Sequence, residues 1–98
     1  MTFSKNEIGT IVGGALRELR VSRKMSIETL GNLTGLGYSQ ISRLERGRLN
    51  CSLYNVYIIV HKLDVSVPVL FRVLAKGFRE SQTAKSGKRS SDGDASNR

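Results

Sequence analysis

The chain has one cysteine, one histidine and only eight acidic residues among its 98. A lone Cys51 and a lone His61 cannot build a multi-ligand zinc site, and one thiol closes no intrachain disulfide. That cysteine usage fits a reducing compartment, so a cytoplasmic location is expected. No apolar run reaches the length of a membrane-spanning helix, and the opening M-T-F-S-K-N-E lacks the apolar core of a signal peptide. The expectation is a soluble protein that does not contact a membrane. Without an evident acid/base pair there is little from which to build an enzyme, and no catalytic residue, metal or cofactor is expected.

Positive charge is what the chain has in excess. Sixteen Lys and Arg leave a net charge of +8, which favours a polyanionic partner over an acidic small molecule. Charge alone does not choose among DNA, RNA and an anionic membrane. The length suits one domain with a single modest core. From residue 79 the composition turns to Ser, Gly, Lys, Asp and Asn, with no large apolar residue after Phe78. This divides the chain into a folded domain over 1–78 and a disordered polar and basic tail over 79–98, which carries +2 of the net charge.

No period-two apolar alternation demands a strand, and the folded part divides into five candidate helices, so the predicted class is all-α. The first helix starts at Ser4, where S-K-N-E forms a capping box with Glu7, and runs through Val12, Leu16 and Leu19 to about Arg23; Gly13-Gly14 weakens it, so its first half is expected to fray. The second has Ser26 as N-cap and Leu30 and Leu33 facing inward, and stops at Gly35, which can turn the chain in the left-handed conformation. Gly37 is the expected N-cap of the third helix and Gly47 its end. The fourth begins at Ser52 and offers Leu53, Val56, Ile59, Val60 and Leu63 to the core, and the fifth opens at Ser66 with Pro68 in its first turn.

The segment Gly35–Gly47, G-L-G-Y-S-Q-I-S-R-L-E-R-G, carries most of the functional information. At helical spacing Ile41, Leu44 and Glu45 share one face, while Tyr38, Ser39, Ser42, Arg43 and Arg46 share the other. One face packs. The other offers hydroxyls, a phenol and two guanidinium groups, donors suited to base edges and phosphates in a major groove. With the small residue Gly31 where two helices would cross and a glycine turn at Gly35, the spacing reads as a helix-turn-helix whose second helix, about 38–46, leaves an outward face for DNA.

The run M-S-I-E-T-L-G-N-L-T-G-L-G-Y-S-Q-I-S-R-L-E-R-G, with S-L and K-L-D-V-S beyond it, resembles the lambda-repressor/Cro-like (XRE-type) helix-turn-helix family of transcriptional regulators over about residues 12–74. The resemblance implies a five-helix DNA-binding domain. By position it implies base reading by Tyr38, Ser39 and Arg43, and phosphate contacts by Ser26, Gln40, Ser42, Arg46, Arg48 and Asn50. It also implies a structural ion pair between Arg20 and Glu45. Two positions depart from the family's habit: Ile27 stands where Gln is common, and Cys51 stands where Pro is common. Cys51 itself reads as a small semi-buried hydrophobe rather than a redox switch.

The fourth helix carries a second stripe, Tyr54, Tyr57, Ile58 and His61, and the fifth is nearly continuous in apolar residues through Val69, Leu70, Phe71, Val73 and Leu74. That is more apolar surface than one core needs. Tyr54, Tyr57, Ile58, His61, Val69 and Val73 are therefore expected at an interface with a second copy. The expected function is a regulator that binds double-stranded DNA, at a partly palindromic operator, as a homodimer. The alternative is a protein-binding module, such as an antitoxin or accessory regulator, that uses the same stripe to hold a different protein.

Overall fold

The Ser4 hydroxyl accepts the Glu7 N–H at 3.1 Å while the Ser4 N–H donates to the Glu7 carboxylate at 2.7 Å, and this reciprocal cap starts the first helix, α1 (Lys5–Ser22). In the computed structural model, which describes residues 2–48 and 52–90 and side chains as far as residue 84, four more helices follow: α2 (Ile27–Thr34), α3 (Gly37–Glu45), α4 (Leu53–Lys62) and α5 (Val67–Ser90). Ser26 and Ser52 cap α2 and α4, each hydroxyl accepting the N–H three residues on at 3.0 Å. Gly35, at φ +77°, stops α2 and turns the chain toward α3. Among the described residues there is no strand, and no helix is long and apolar enough to cross a membrane. Asn50 and Cys51 lie outside the described residues.

One core joins the helices. Leu16 and Leu19 of α1, Leu30 of α2, Ile41 and Leu44 of α3, and Val56, Ile59 and Val60 of α4 meet Leu63, Val65 and Leu70 of the last turn and α5. Ile27, Leu36, Val69, Val73 and Leu74 pack against this cluster from its edge.

Several expectations need correction. Leu33 is exposed, because the buried stripe of α2 is Ile27, Leu30, Gly31 and Thr34, and Leu33 stands about 100° from its centre. Leu53 keeps the periodicity of the α4 core stripe but sits one turn beyond the packed region and is 82% exposed. α3 opens at Gly37 itself, with Leu36 in the cap position and no side chain closing it. α1 runs unbroken through Gly13-Gly14, and Gly13 is buried.

α5 runs to Ser90, through twelve residues that composition alone assigned to the tail. It docks on α1: the Phe3 and Phe78 rings meet edge to face at 5.4 Å, and Ile11 lies against Gly77. A helix already nucleated and anchored extends cheaply through residues such as Arg79, Glu80, Gln82 and Ala84, which favour helix. Residues 91–98 of the predicted tail lie outside the described residues.

Candidate nucleic-acid interface

α3 is held from three directions. Ile41 and Leu44 are almost completely buried and plug its inner face into the core. Its N-terminal end crosses α2 backbone against backbone: a Cβ added to Gly31 would stand 2.6 Å from the Gly37 carbonyl carbon and 2.9 Å from the Tyr38 nitrogen. Only glycine permits that approach.

At the other end Arg20 of α1 grips Glu45 through two hydrogen bonds, Nε to Oε2 at 2.6 Å and Nη2 to Oε1 at 3.0 Å. Its Nη1 donates to the Met25 carbonyl at 2.8 Å, so one guanidinium ties α1, the turn before α2 and the end of α3. Both side chains are buried, with exposures of 11% and 5%. The hydrogen bond to Glu45, partly opposed by burial, holds the Arg20 pKa above its ordinary value. On the alkaline side, a raised Arg20 pKa keeps its contribution present through neutral pH and lost as the pH rises into strong alkali.

The outward face follows from this anchoring. Tyr38 (59% exposed), Ser39, Gln40, Arg43 and Arg46 are exposed, and Ser42 is partly so. The Arg43 side chain makes no hydrogen bond or ion pair among the described residues. Arg46 donates Nε to the Ser42 carbonyl at 3.3 Å, bracing its stem along the helix. Arg48 is exposed just beyond α3, and its N–H bonds the Arg43 carbonyl at 2.9 Å, which fixes the first step of the loop. Ser26 is exposed too, but its hydroxyl is committed: it accepts from the Thr29 N–H and donates to the Thr29 Oγ1 at 2.9 Å. Any phosphate there would meet the Ser26 backbone rather than its side chain. The structure therefore brings Tyr38, Ser39, Gln40, Ser42, Arg43, Arg46 and Arg48 onto or beside one helix, with Ser26 at the start of its neighbour.

The apolar surface lies elsewhere, on α4 and α5. Tyr54, Tyr57, Val67 and Phe71 (60% exposed) join Leu53 around a groove of about 440 Å³ whose lining surface is entirely apolar. Tyr57 stacks on His61 at 5.9 Å between ring centroids. Of the residues expected at an interface, Tyr54, Tyr57 and His61 are exposed, while Ile58, Val69 and Val73 are half-buried, and Val69 and Val73 pack against the core. Leu53 and Val67 had no sequence signal of exposure, since their spacing suits a core stripe equally well, whereas Phe71 belongs to the apolar run of the fifth helix that exceeds what one core needs.

Residues 16–70, more than half of the chain, match the helix-turn-helix family. The chain belongs to this family, in its lambda-repressor/Cro-like (XRE-type) form. It is 33% identical over 76 residues to the "uncharacterized transcriptional regulator in ATPase CF(0) region" of Rhodospirillum rubrum, covering 78% of this chain and 70% of that protein. The clp gene regulator ClgR of Corynebacterium glutamicum shares its fold, with a TM-score of 0.77 at 23% identity over 84% of this chain and 87% of ClgR. The restriction-modification controller protein C.Esp1396I, as a tetramer in complex with its natural 35 base-pair operator, aligns with a TM-score of 0.67 at 27% identity over 71% and 92% of the two chains. The family is one of DNA-binding transcriptional regulators, not of enzymes.

Within this XRE-type frame the departure at Ile27 has a visible consequence. Its side chain is half-buried against the core rather than offered at the start of α2 as an amide would be.

Proposed function

We propose that the chain binds a partly palindromic operator as a homodimer, placing one α3 in each of two major-groove segments about 34 Å apart on one face of the duplex. The observation that carries this reading is the uncommitted Arg43 beside Tyr38 and Ser39, on a helix whose opposite face is locked by Ile41, Leu44 and Glu45. A planar guanidinium on a fixed helix suits bidentate donation to guanine O6 and N7. Tyr38 and Ser39 would contact the neighbouring bases. Arg46, Arg48, Gln40, Ser42 and the start of α2 at Ser26 would contact phosphate, giving affinity that falls steeply with salt.

The apolar groove of α4 and α5 is the surface a second copy would cover. An operator-bound tetramer of the similar controller protein supports both DNA occupancy and self-association. Regulation would be repression where the operator overlaps a promoter, and activation where an exposed surface meets the polymerase. The competing reading, a different protein in the apolar groove, is favoured by the wholly apolar character of that surface. Size-exclusion chromatography with light scattering separates the two: a clean dimer supports the homodimer, and a monomer supports a foreign partner. DNA reading itself is tested by selecting duplexes from a random pool. Enrichment of an inverted repeat supports the proposal, and no enrichment over non-specific binding overturns it.

A further inference from the structure

We infer that Gly9 and Gly13 of α1 are positioning residues for DNA binding, because they set how closely the C-terminal end of α3, with Arg46 and Arg48, sits on the helix that carries it. This inference rests on the reading of α3 as the DNA-contacting helix. A Cβ added to Gly13 would run into the Leu44 carbonyl oxygen and stand 2.8 Å from the Glu45 carbonyl oxygen and 2.9 Å from its carbonyl carbon. One added to Gly9 would stand 3.1 Å from the Gly47 oxygen. The approach is mutual, since a Cβ on Gly47 would meet the Thr10 nitrogen at 2.8 Å and its Cα at 2.9 Å.

These are contacts of backbone with backbone. A side chain at such a crossing could change rotamer and let the two helices shift, whereas main-chain atoms have no such freedom. Gly9, Gly13, Leu16 and Arg20 recur at i, i+4, i+7 and i+11, so the seam lies on the same face of α1 as the arginine that grips Glu45. The end of α3 is thus fixed by main-chain contact and by an ion pair together. From there the Gly47 N–H bonds the Leu44 carbonyl at 3.0 Å and the Arg48 N–H bonds the Arg43 carbonyl at 2.9 Å, so a push on the Leu44 to Gly47 segment moves Arg46 and Arg48. Tyr38, at the other end, is held separately by Gly31. Helix formation does not explain these glycines, because alanine is the better helix former at both positions.

α1 supplies its own control in Gly14, where an added Cβ meets nothing within 4 Å. Three variants of the full chain, Gly14→Ala, Gly9→Ala and Gly13→Ala, are compared with wild type for melting temperature and for salt-dependent binding. The probes are a duplex selected by wild type from a random pool and a scrambled duplex of equal length. Gly14→Ala is expected to raise the melting temperature by about 4–8 °C and to bind as wild type does. Gly9→Ala should keep or raise the melting temperature. It should nevertheless bind both duplexes more weakly by the same factor, with the slope of log K against log salt shallower by about 0.9, the share of one phosphate contact. Gly13→Ala should melt lower and show the same flattened slope.

A role confined to stability would move binding and melting temperature together. Weaker binding with a flattened slope in a Gly9→Ala that melts at or above the wild-type temperature separates the two even where Gly13→Ala does not fold, and loss of binding only in proportion to lost stability would overturn the inference. Wild-type affinity and salt slope in Gly9→Ala would overturn the inference, as would an altered base preference at unchanged slope. If wild type enriches no duplex, the reading of α3 falls first and this inference with it.

Discussion

The two functional faces of this small domain differ in chemistry and in how they are held. The outward face of α3 is polar and cationic, and everything behind it is fixed: buried Ile41 and Leu44, main-chain contact with α2, and the enclosed Arg20–Glu45 pair. The face of α4 and α5 is apolar, with Leu53, Tyr54, Tyr57, Val67 and Phe71 exposed, and the one ion pair of α5 among the described residues, Lys76–Glu18 with α1, is itself half exposed. Recognition of base edges needs donors held to within a fraction of an ångström, so rigidity matters on the first face. Burial of apolar area tolerates adjustment, so shape and area suffice on the second. The domain combines a rigid reader with an adaptable handle.

Glu45→Ala attacks the rigidity of the reader and should have the largest effect. It leaves Arg20 buried with only the Met25 carbonyl as partner, at an expected loss of about 3–5 kcal/mol in denaturant unfolding. Retention of wild-type stability with loss of DNA binding alone would move Glu45 from the scaffold to the interface. Phe71→Lys attacks the handle. It should leave the fold intact, since the ring is 60% exposed, while weakening self-association by about 2–4 kcal/mol in sedimentation equilibrium.

Arg43→Ala then separates reading from anchoring. A loss of about 1–3 kcal/mol, with relaxed preference at one position per half-site, is the expected result in binding to randomised operators. Equal loss on all sequences would make Arg43 a phosphate contact instead. Ser26→Ala is the mildest change: it removes the α2 cap at a cost of about 1 kcal/mol in thermal unfolding and leaves base preference as it was.

The reader was far more legible in the sequence than the handle. The caps at Ser4, Ser26 and Ser52 and the turn at Gly35 are local chemistry, visible within four residues of chain, and each helix starts or stops where they indicate. The division of α3 into a buried and an exposed face follows from helical periodicity on a sequence that alternates sharply between apolar and polar residues. The handle offers no such alternation. Leu53 keeps core spacing yet lies beyond the packed turns, and Phe71 stands beside buried Leu70 in a nearly unbroken apolar run, so periodicity could not say which side faces out. The polar sequence after Phe78 hid the extension of α5, because the anchor for that helix is α1, a contact distant in the chain. Gly13 reads in sequence only as a helix-weakening residue for the same reason: its propensity is local, but its close approach to α3 is long-range.

Selection of duplexes from a random pool, with the number of chains per selected duplex measured by light scattering, most directly tests whether a rigid α3 reads DNA from a chain that pairs through α4 and α5. The account predicts an inverted repeat with half-site centres about 10 base pairs apart, chains bound in multiples of two, and flattened preference at symmetric positions in Arg43→Ala. An asymmetric site bound by a single chain, or no enriched sequence at all, would contradict it.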